Sequence, residues 1–473
     1  MKKLTQSGHT PRLLQEQINS SPHDQKHNTL ASEKIGTLLW KLSLPAGIGM
    51  FVMTLYNVVD TIFIGHVVGP LGIAGLSIVF PVQMLIMGMG LMVGIGGASL
   101  ISRSLGTRDP EKAARTLGNA ILGIIVLGIL ITLVGLSDSL FWLRLMGASE
   151  TVLPFAREYL DVILLGASFQ LFAMGASHLV RAEGNARVPM ISMLIGGILN
   201  IILDACFIVG LSMGIRGAAI ATVISHAVSS AYLIYYYLSG NSSLKIYAKN
   251  LIPNIAIVRE ITLIGVGEFA RTSATSLVIV LVNRSLSVYG GDMAVAAFGI
   301  VHRIMMFVIM PNISVGQGLQ PILGFNYGSK RTDRVLRVIK LSIIAATIFS
   351  VTAFLVLFFF SAPIMRIFTD ERSLIGVGSH AAKLIFSVAF LVGFQVVSSV
   401  VFQAIGKALP AFLTAISRQI LFFLPLILIL PRFFKLNGVW MSFPLADVLS
   451  FLLCLLLLVV QIREIKDDNP SAR

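Results

Sequence analysis

The sequence predicts an all-α integral membrane protein: twelve transmembrane helices in two six-helix lobes, related by a pseudo-two-fold axis along the membrane normal. Three observations carry this. Apolar residues make up 56% of the 473 and charged residues only 12%, with a mean hydropathy of +0.87. That is too little charge to cover a soluble protein of this length. Apolar runs of about 20 residues recur, each long enough to cross ~30 Å of hydrocarbon as a helix. They lack the period-two alternation of barrel strands, leaving the helix as the element that satisfies its own backbone in lipid. Finally, the chain repeats itself at an offset of 222 residues.

The repeat runs without a gap from Gly72–Lys112 to Ala294–Arg334. Gly94, Gly96 and Gly106 fall on Gly316, Gly318 and Gly328, and the turn "LGTRDPEK" falls on "YGSKRTDR". The same shift carries Ala182, Gly184 and Ala186 onto Ala404, Gly406 and Ala408. Internal repeats in an apolar chain mark secondary transporters, in which two halves rock around a central site.

In chain order the first-lobe spans fall at about 37–66, 73–103, 114–137, 152–182, 187–209 and 215–238. Those of the second lobe fall at about 258–288, 293–326, 333–361, 376–406, 409–432 and 436–463. Six spans per repeat is an even number, so both halves enter from the same side and the axis lies along the membrane normal. Pro45 lies inside the first span and removes one backbone hydrogen bond, which predicts a bend there. Asp109 and Pro110 open the third span as N-cap and first helical residue. The domains follow: a polar cytoplasmic tail at 1–36 read as disordered, lobes at 37–238 and 258–463, a cytoplasmic linker at 239–257, and a cytoplasmic tail at 464–473.

The net charge of +14 suggests nucleic acid until its placement is considered. Arg103, Arg108, Lys112 and Arg115 share one loop region, and Lys330, Arg331, Arg334, Arg337 and Lys340 share the equivalent one. Loops 67–72 and 289–292 carry no Lys or Arg. This is the positive-inside pattern, which places both termini in the cytoplasm and leaves the charge to orient the chain in the bilayer. Cys206 and Cys454 lie in opposite halves and make neither a disulfide framework nor a metal site. There is no HExxH pair for an intramembrane metalloenzyme, no clustered histidine set, and no phosphate-binding loop for a nucleotide-driven pump. These readings imply no enzyme, no cofactor and no nucleic-acid partner.

An ionisable group at membrane depth costs about 3 kcal/mol on insertion scales and is a functional candidate by default. Counting ~1.5 Å per residue places Asp60 ~35 Å along the first span and Asp204 ~26 Å along the fifth, both running outward. Tyr159 and Thr222 lie ~10 Å into spans that run inward. Asn200 sits one helical turn before Asp204, on the same face. All five converge at one level in the outer half of the first lobe. Two carboxylates close together in low dielectric cannot both stay charged cheaply, so the pair titrates as a unit and suits a proton. The same oxygens also suit Na⁺. At the repeat offset Asp60 meets Val282 and Asp204 meets Leu426, so the acids belong to one lobe only. Arg303, Arg418 and Asp447 lie ~14–16 Å inside second-lobe spans, where they read as a structural network ahead of a gating pair. Glu268 and Arg271 read as snorkelling near a span end. His178, His226 and His302 are unclustered and read as core histidines.

These residues, with "LYNVVDTIFIGHVVG", "FP" at 80–81, "GIGGASLISRSLG", "RAEGNARVPM", "NIILD" and "PILGFNYGSKR", make the chain similar to the multidrug and toxic compound extrusion (MATE) transporters from about Leu38 to Val460. The resemblance is to their bacterial and archaeal DinF-like branch. It implies that Asp60, Tyr159, Asn200, Asp204 and Thr222 form a first-lobe cation site, and that the first helix bends about Pro45 on protonation. It further implies a prokaryotic inner-membrane antiporter that exports amphipathic, often cationic compounds in exchange for H⁺ or Na⁺. Met53, Met174, Ser177 and Met193 are expected to line the substrate cavity, methionine being flexible and polarisable. NorM-like members carry a carboxylate deep on the seventh helix, where this chain reads "SATSLVIV" and Glu268 comes too early. That departure favours H⁺ coupling. The alternative is a lipid-linked oligosaccharide flippase of related fold, which usually needs a basic central cavity; Arg303 and Arg418 keep it open.

Overall fold

The computed structural model describes residues 29–467. Eight helices among them are long and apolar enough to cross a membrane. Two more spans are bent pairs: Leu153–Leu165 with Ala167–Ala182, at 56°, and Arg372–Ile385 with Ala389–Ile405, at 43°. Two of the eight each hold two spans, because Ile255–Gly328 breaks at Gly291 and the helix ending at Asp467 breaks at Lys435, where both residues have positive φ. Twelve spans result, in the order predicted. The remaining bounds are Ile35–Val67, Pro70–Gly106, Pro110–Ser137, Arg187–Gly210, Gly214–Leu238 and Thr332–Phe359.

Backbone geometry repeats with the sequence. Positive φ occurs at Gly69 and Gly291, at Arg108 and Lys330, and at Gly184 and Gly406, each pair separated by the repeat offset. The bends in the fourth and tenth spans also match, at Gly166 and around Val388. The first span runs as one helix through Pro45. Asp109 accepts a hydrogen bond from the Lys112 amide at 2.9 Å and caps the third span as the sequence predicts.

The lobes join at one end, the end carrying the basic loops. A single hydrophobic core runs from first-lobe residues such as Leu100 and Leu179 into Leu319, Val338 and Phe402 of the second. A separate core, with Val282, Phe298 and Trp440, fills the opposite end of the second lobe. Glycines allow the close approach: a Cβ at Gly96 would strike the Ile261 carbonyl, and one at Gly265 the Met92 carbonyl. Hydrogen bonds then tie the seam. Gln320 Nε2 donates to the Ile95 carbonyl at 3.1 Å, and Arg103 pairs with Glu260 at 2.8 Å. Among the described residues, no hydrogen bond joins the lobes beyond Thr54, whose hydroxyl lies 3.9 Å from Met310 Sδ.

Three boundaries differ from the sequence reading. Of the tail at 1–36, residues 1–28 lie outside the described residues, but 29–32 form a helical turn with Leu30 only 2% exposed. Leu30 packs near Gly184, and its carbonyl accepts from Arg334 at 3.1 Å, so apolar burial and a guanidinium order this stretch. The twelfth span continues as helix to Asp467, past the expected end at 463, and 468–473 lie outside the described residues. The seventh span begins at Ile255, where Asn254 caps it by accepting from the amides of Ala256 and Ile257. Glu268 and Arg271 pair with each other, and Glu268 is buried, so neither snorkels freely. Cys206 is exposed.

Candidate functional site

The fifth and sixth spans pack side by side in the first lobe, and the first and fourth close around them. Asp204 ends the α-helical part of the fifth span, which continues as a π-helical turn over Ala205–Gly210. Such a turn re-aims the residues around it and recurs at functional sites. Asp204 is 0% exposed and Asp60 8%. The two carboxylates lie close enough to interact electrostatically, and Tyr56 and Tyr159 each interact with both. Both Asp204 oxygens and Asp60 Oδ1 are buried without a hydrogen-bond partner.

Asn200, one turn before Asp204, directs Nδ2 at Thr222 Oγ1 across 3.4 Å. Its Oδ1 is buried and unpartnered. Tyr159 accepts a hydrogen bond from Gln83 Nε2 at 3.2 Å. Adjacent lies a cavity of about 40 Å³. Met53, Met174, Ser177 and Met193 line it, together with Asn200 and Thr222. Asp60, Tyr159 and Asp204 sit behind this lining. Pro45 lies further along the first span, toward the basic end. Among the described residues, no group of three or more His, Cys, Asp or Glu is arranged to hold a metal ion.

In the second lobe Arg418 forms a two-pronged ion pair with Asp447, Nε to Oδ1 and the second nitrogen to Oδ2 at 3.3 Å. A π-helical turn over Ser417–Phe423 carries Arg418. Arg303 is exposed and takes no part in the pair.

The MatE family pattern matches twice, over residues 45–206 and 268–429. This chain is a MATE family transporter. The multidrug export protein MepA of Staphylococcus aureus (strain MRSA252) is 28% identical over 415 residues, covering 88% of this chain and 91% of that protein. The structure of the MATE multidrug transporter DinF-BH in complex with rhodamine 6G is 44% identical, with a TM-score of 0.85, covering 90% of this chain and 96% of that one. A crystal structure of MATE in the bent conformation shares 27% identity at a TM-score of 0.88, covering 94% and 99%. The DinF-BH likeness supports the DinF-like branch. The MATE fold accounts for the twelve spans, and the chain is a transporter, not an enzyme.

Sequence reasoning on this MATE chain missed several groups at the site. Tyr56 lies one turn before Asp60, and that spacing was the available signal. Gln83 reaches Tyr159 from the second span with no sequence cue. Ser225, His226 and Ser229 also line the cavity; their three- and four-residue spacing after Thr222 was the signal.

Proposed function

We propose that this MATE transporter exports amphipathic, often cationic organic compounds in exchange for protons, with Na⁺ as the second candidate ion, by alternating access between its lobes. The observation that carries the reading is the Asp60/Asp204 pair, buried with unpartnered carboxylate oxygens behind a cavity lined by methionines and hydroxyls. Carboxylates with unpartnered oxygens suit a cation that comes and goes. The soft, adaptable wall suits varied apolar surfaces. MepA is named a multidrug export protein and DinF-BH binds rhodamine 6G, which agrees with such cargo. Asp60, Tyr159, Asn200, Asp204 and Thr222 are assigned to the ion, and Met53, Met174, Ser177 and Met193 to the cargo. Pro45 is assigned as the hinge of the first span.

The basic end is assigned to the cytoplasm by the positive-inside rule, so the joined lobes close the cytoplasmic side. The residues at 37–238 and 258–463 act as the moving units, joined through 239–257. Coupling then requires that the acids bind their ion with different affinity in the two access states. The flippase reading loses ground because Arg418 is already neutralised by Asp447.

Purified protein in liposomes with rhodamine 6G inside tests this, with a proton or a sodium gradient imposed separately. Proton-driven movement that Asp204→Asn abolishes is the expected result. Movement under sodium alone transfers the same site to Na⁺. No movement under either gradient, with labelled lipid scrambled instead, would reinstate the flippase.

A further inference from the structure

Beyond Asn200 and Thr222 the cavity continues toward the basic end, and its polar lining changes from amide to hydroxyl and imidazole. Thr222, Ser225, His226 and Ser229 all line it. Their spacing stacks them on one face of the sixth span. At ~1.5 Å per residue they cover ~10 Å of depth. Ser192 of the fifth span and Ser229 exchange hydrogen bonds with each other's carbonyls, both at 3.1 Å. Gly196 makes room for this contact, because a Cβ there would strike the Ser229 hydroxyl.

Two polar atoms of the lining are buried with no partner, Asn200 Oδ1 and Ser225 Oγ, and both Asp204 oxygens, behind the lining, are likewise unpartnered. Asn200 is 1% exposed and Ser225 4%. An orphaned buried polar atom costs about 1–3 kcal/mol. Two such atoms on the wall of a cavity of about 40 Å³ therefore point to water as their partner, since about 10–15 Å³ of such space admits one water with two to four polar contacts. His226 is the cavity's one imidazole. The titratable groups on the bordering elements include Tyr56 and Asp60 on the first span, Tyr159, His178 and Arg181 on the fourth, and Asp204 on the fifth. Of these only Tyr56 joins His226 in the lining.

We propose that His226, supported by Ser225 and the hydroxyls of Thr222 and Ser229, is the relay through which the coupling proton passes from the Asp60/Asp204 pair toward the cytoplasm. The inference rests on the proton-coupled reading above. A protonated Asp204 carboxyl, one turn from Asn200 of the lining, gives its proton to a water that reaches it from the cavity. That water passes one proton to the free ring nitrogen of His226, and the ring gives up the proton on its other nitrogen to a water beside Ser229. One proton has moved and Asp204 is left as carboxylate. The imidazole is neutral with its tautomer exchanged, and rotation of the ring resets it.

The test compares His226→Gln and Ser225→Ala with the unaltered protein in liposomes, using two readouts. One is rhodamine 6G movement driven by a proton gradient, with an entrapped pH dye recording proton flux. The other is exchange of labelled for unlabelled rhodamine 6G at equal pH, which needs the lobes to move but no net proton transfer. His226→Gln should slow gradient-driven transport and proton flux by a factor of about 100 and slow exchange far less, by only what its place in the cavity wall accounts for. Ser225→Ala should give a smaller loss of the same kind, and added imidazole should partly restore His226→Ala. Undiminished driven transport in His226→Gln overturns the relay, as does equal loss of exchange, which would mark a structural role. Asp204→Asn separates the two claims. If it also transports normally, the proton-coupled reading itself has failed; if it is inactive while His226→Gln is normal, only the relay has.

Discussion

At Gly96 the second span has no side chain because none would fit: an added Cβ would overlap the Ile261 carbonyl of the seventh span. Gly96→Ala should therefore force the two backbones apart and cost about 1–3 kcal/mol, as overpacking does. Gly123 is the control, since the nearest atom to its Cβ would be 4.0 Å away. Thermal unfolding in detergent should show Gly96→Ala clearly destabilised and Gly123→Ala unchanged or slightly stabilised; equal midpoints would rule the packing argument out. Arg418 makes a second residue-scale case. Asp447 is 2% exposed, and Gln395 donates to its backbone carbonyl, not to its carboxylate. Arg418→Ala strands a buried charge and should cost about 3–5 kcal/mol, whereas Arg418→Met with Asp447→Leu should recover most of it. A double variant no more stable than the single one would mean that the pair is not the relevant interaction. Asp60 and Asp204 were legible as candidates from the sequence because a carboxylate inside an apolar run is costly and stands out. Tyr56 and Gln83 were not, because an aromatic or an amide in a span reads equally well as packing until another helix is placed against it.

Whole elements were more legible than their breaks. Hydropathy marked all twelve spans, since length and apolar content are all that crossing a bilayer demands. The 56° and 43° bends of the fourth and tenth spans left no such mark, because the residues flanking them stay apolar whether the helix is straight or bent. The linker was visible as a polar interruption, but its attachment to the first lobe was not, because its partners are distant in sequence. Asn119 Oδ1 accepts from the Asn254 amide at 2.7 Å, and its Nδ2 donates to the carbonyls of Asn250 and Ile252, each at 3.3 Å. The buried Glu183 carboxylate accepts from the Ser242 hydroxyl at 2.8 Å and the Ser243 amide at 2.7 Å. So held, the linker belongs with the first lobe. Lys245 and Lys249 are exposed on it. Asn119→Ala should release this segment and hasten tryptic cleavage at both lysines, because proteases act on locally opened chain. Mass spectrometry of a digestion time course reads the effect, and unchanged cleavage would show that the linker is held elsewhere.

Across the whole molecule, the seam between the lobes divides unevenly. Glycine contacts, hydrogen bonds and a shared core fasten it at the basic end, and none of the hydrogen bonds among the described residues extends past Thr54. A carrier that alternates access must undo the fastened half once per cycle, so a covalent tie placed there should stop it. Gly47 on the first span and Ser314 on the eighth offer the place: a Cβ at Gly47 would lie 3.6 Å from Ser314 Cβ, inside the usual disulfide spacing of about 3.5–4.5 Å. With Cys206 and Cys454 replaced by serine, Gly47→Cys together with Ser314→Cys should oxidise readily. Rhodamine 6G transport in liposomes should then fall to background and return on reduction, while either single cysteine leaves the response to oxidant flat. Because the tie constrains only the distance between two helices and removes neither acid, arrest would follow from motion and not from lost ion binding. Sustained transport by the oxidised protein would mean that the first and eighth spans stay together through the cycle, and the opening would have to be sought nearer the Arg103–Glu260 pair.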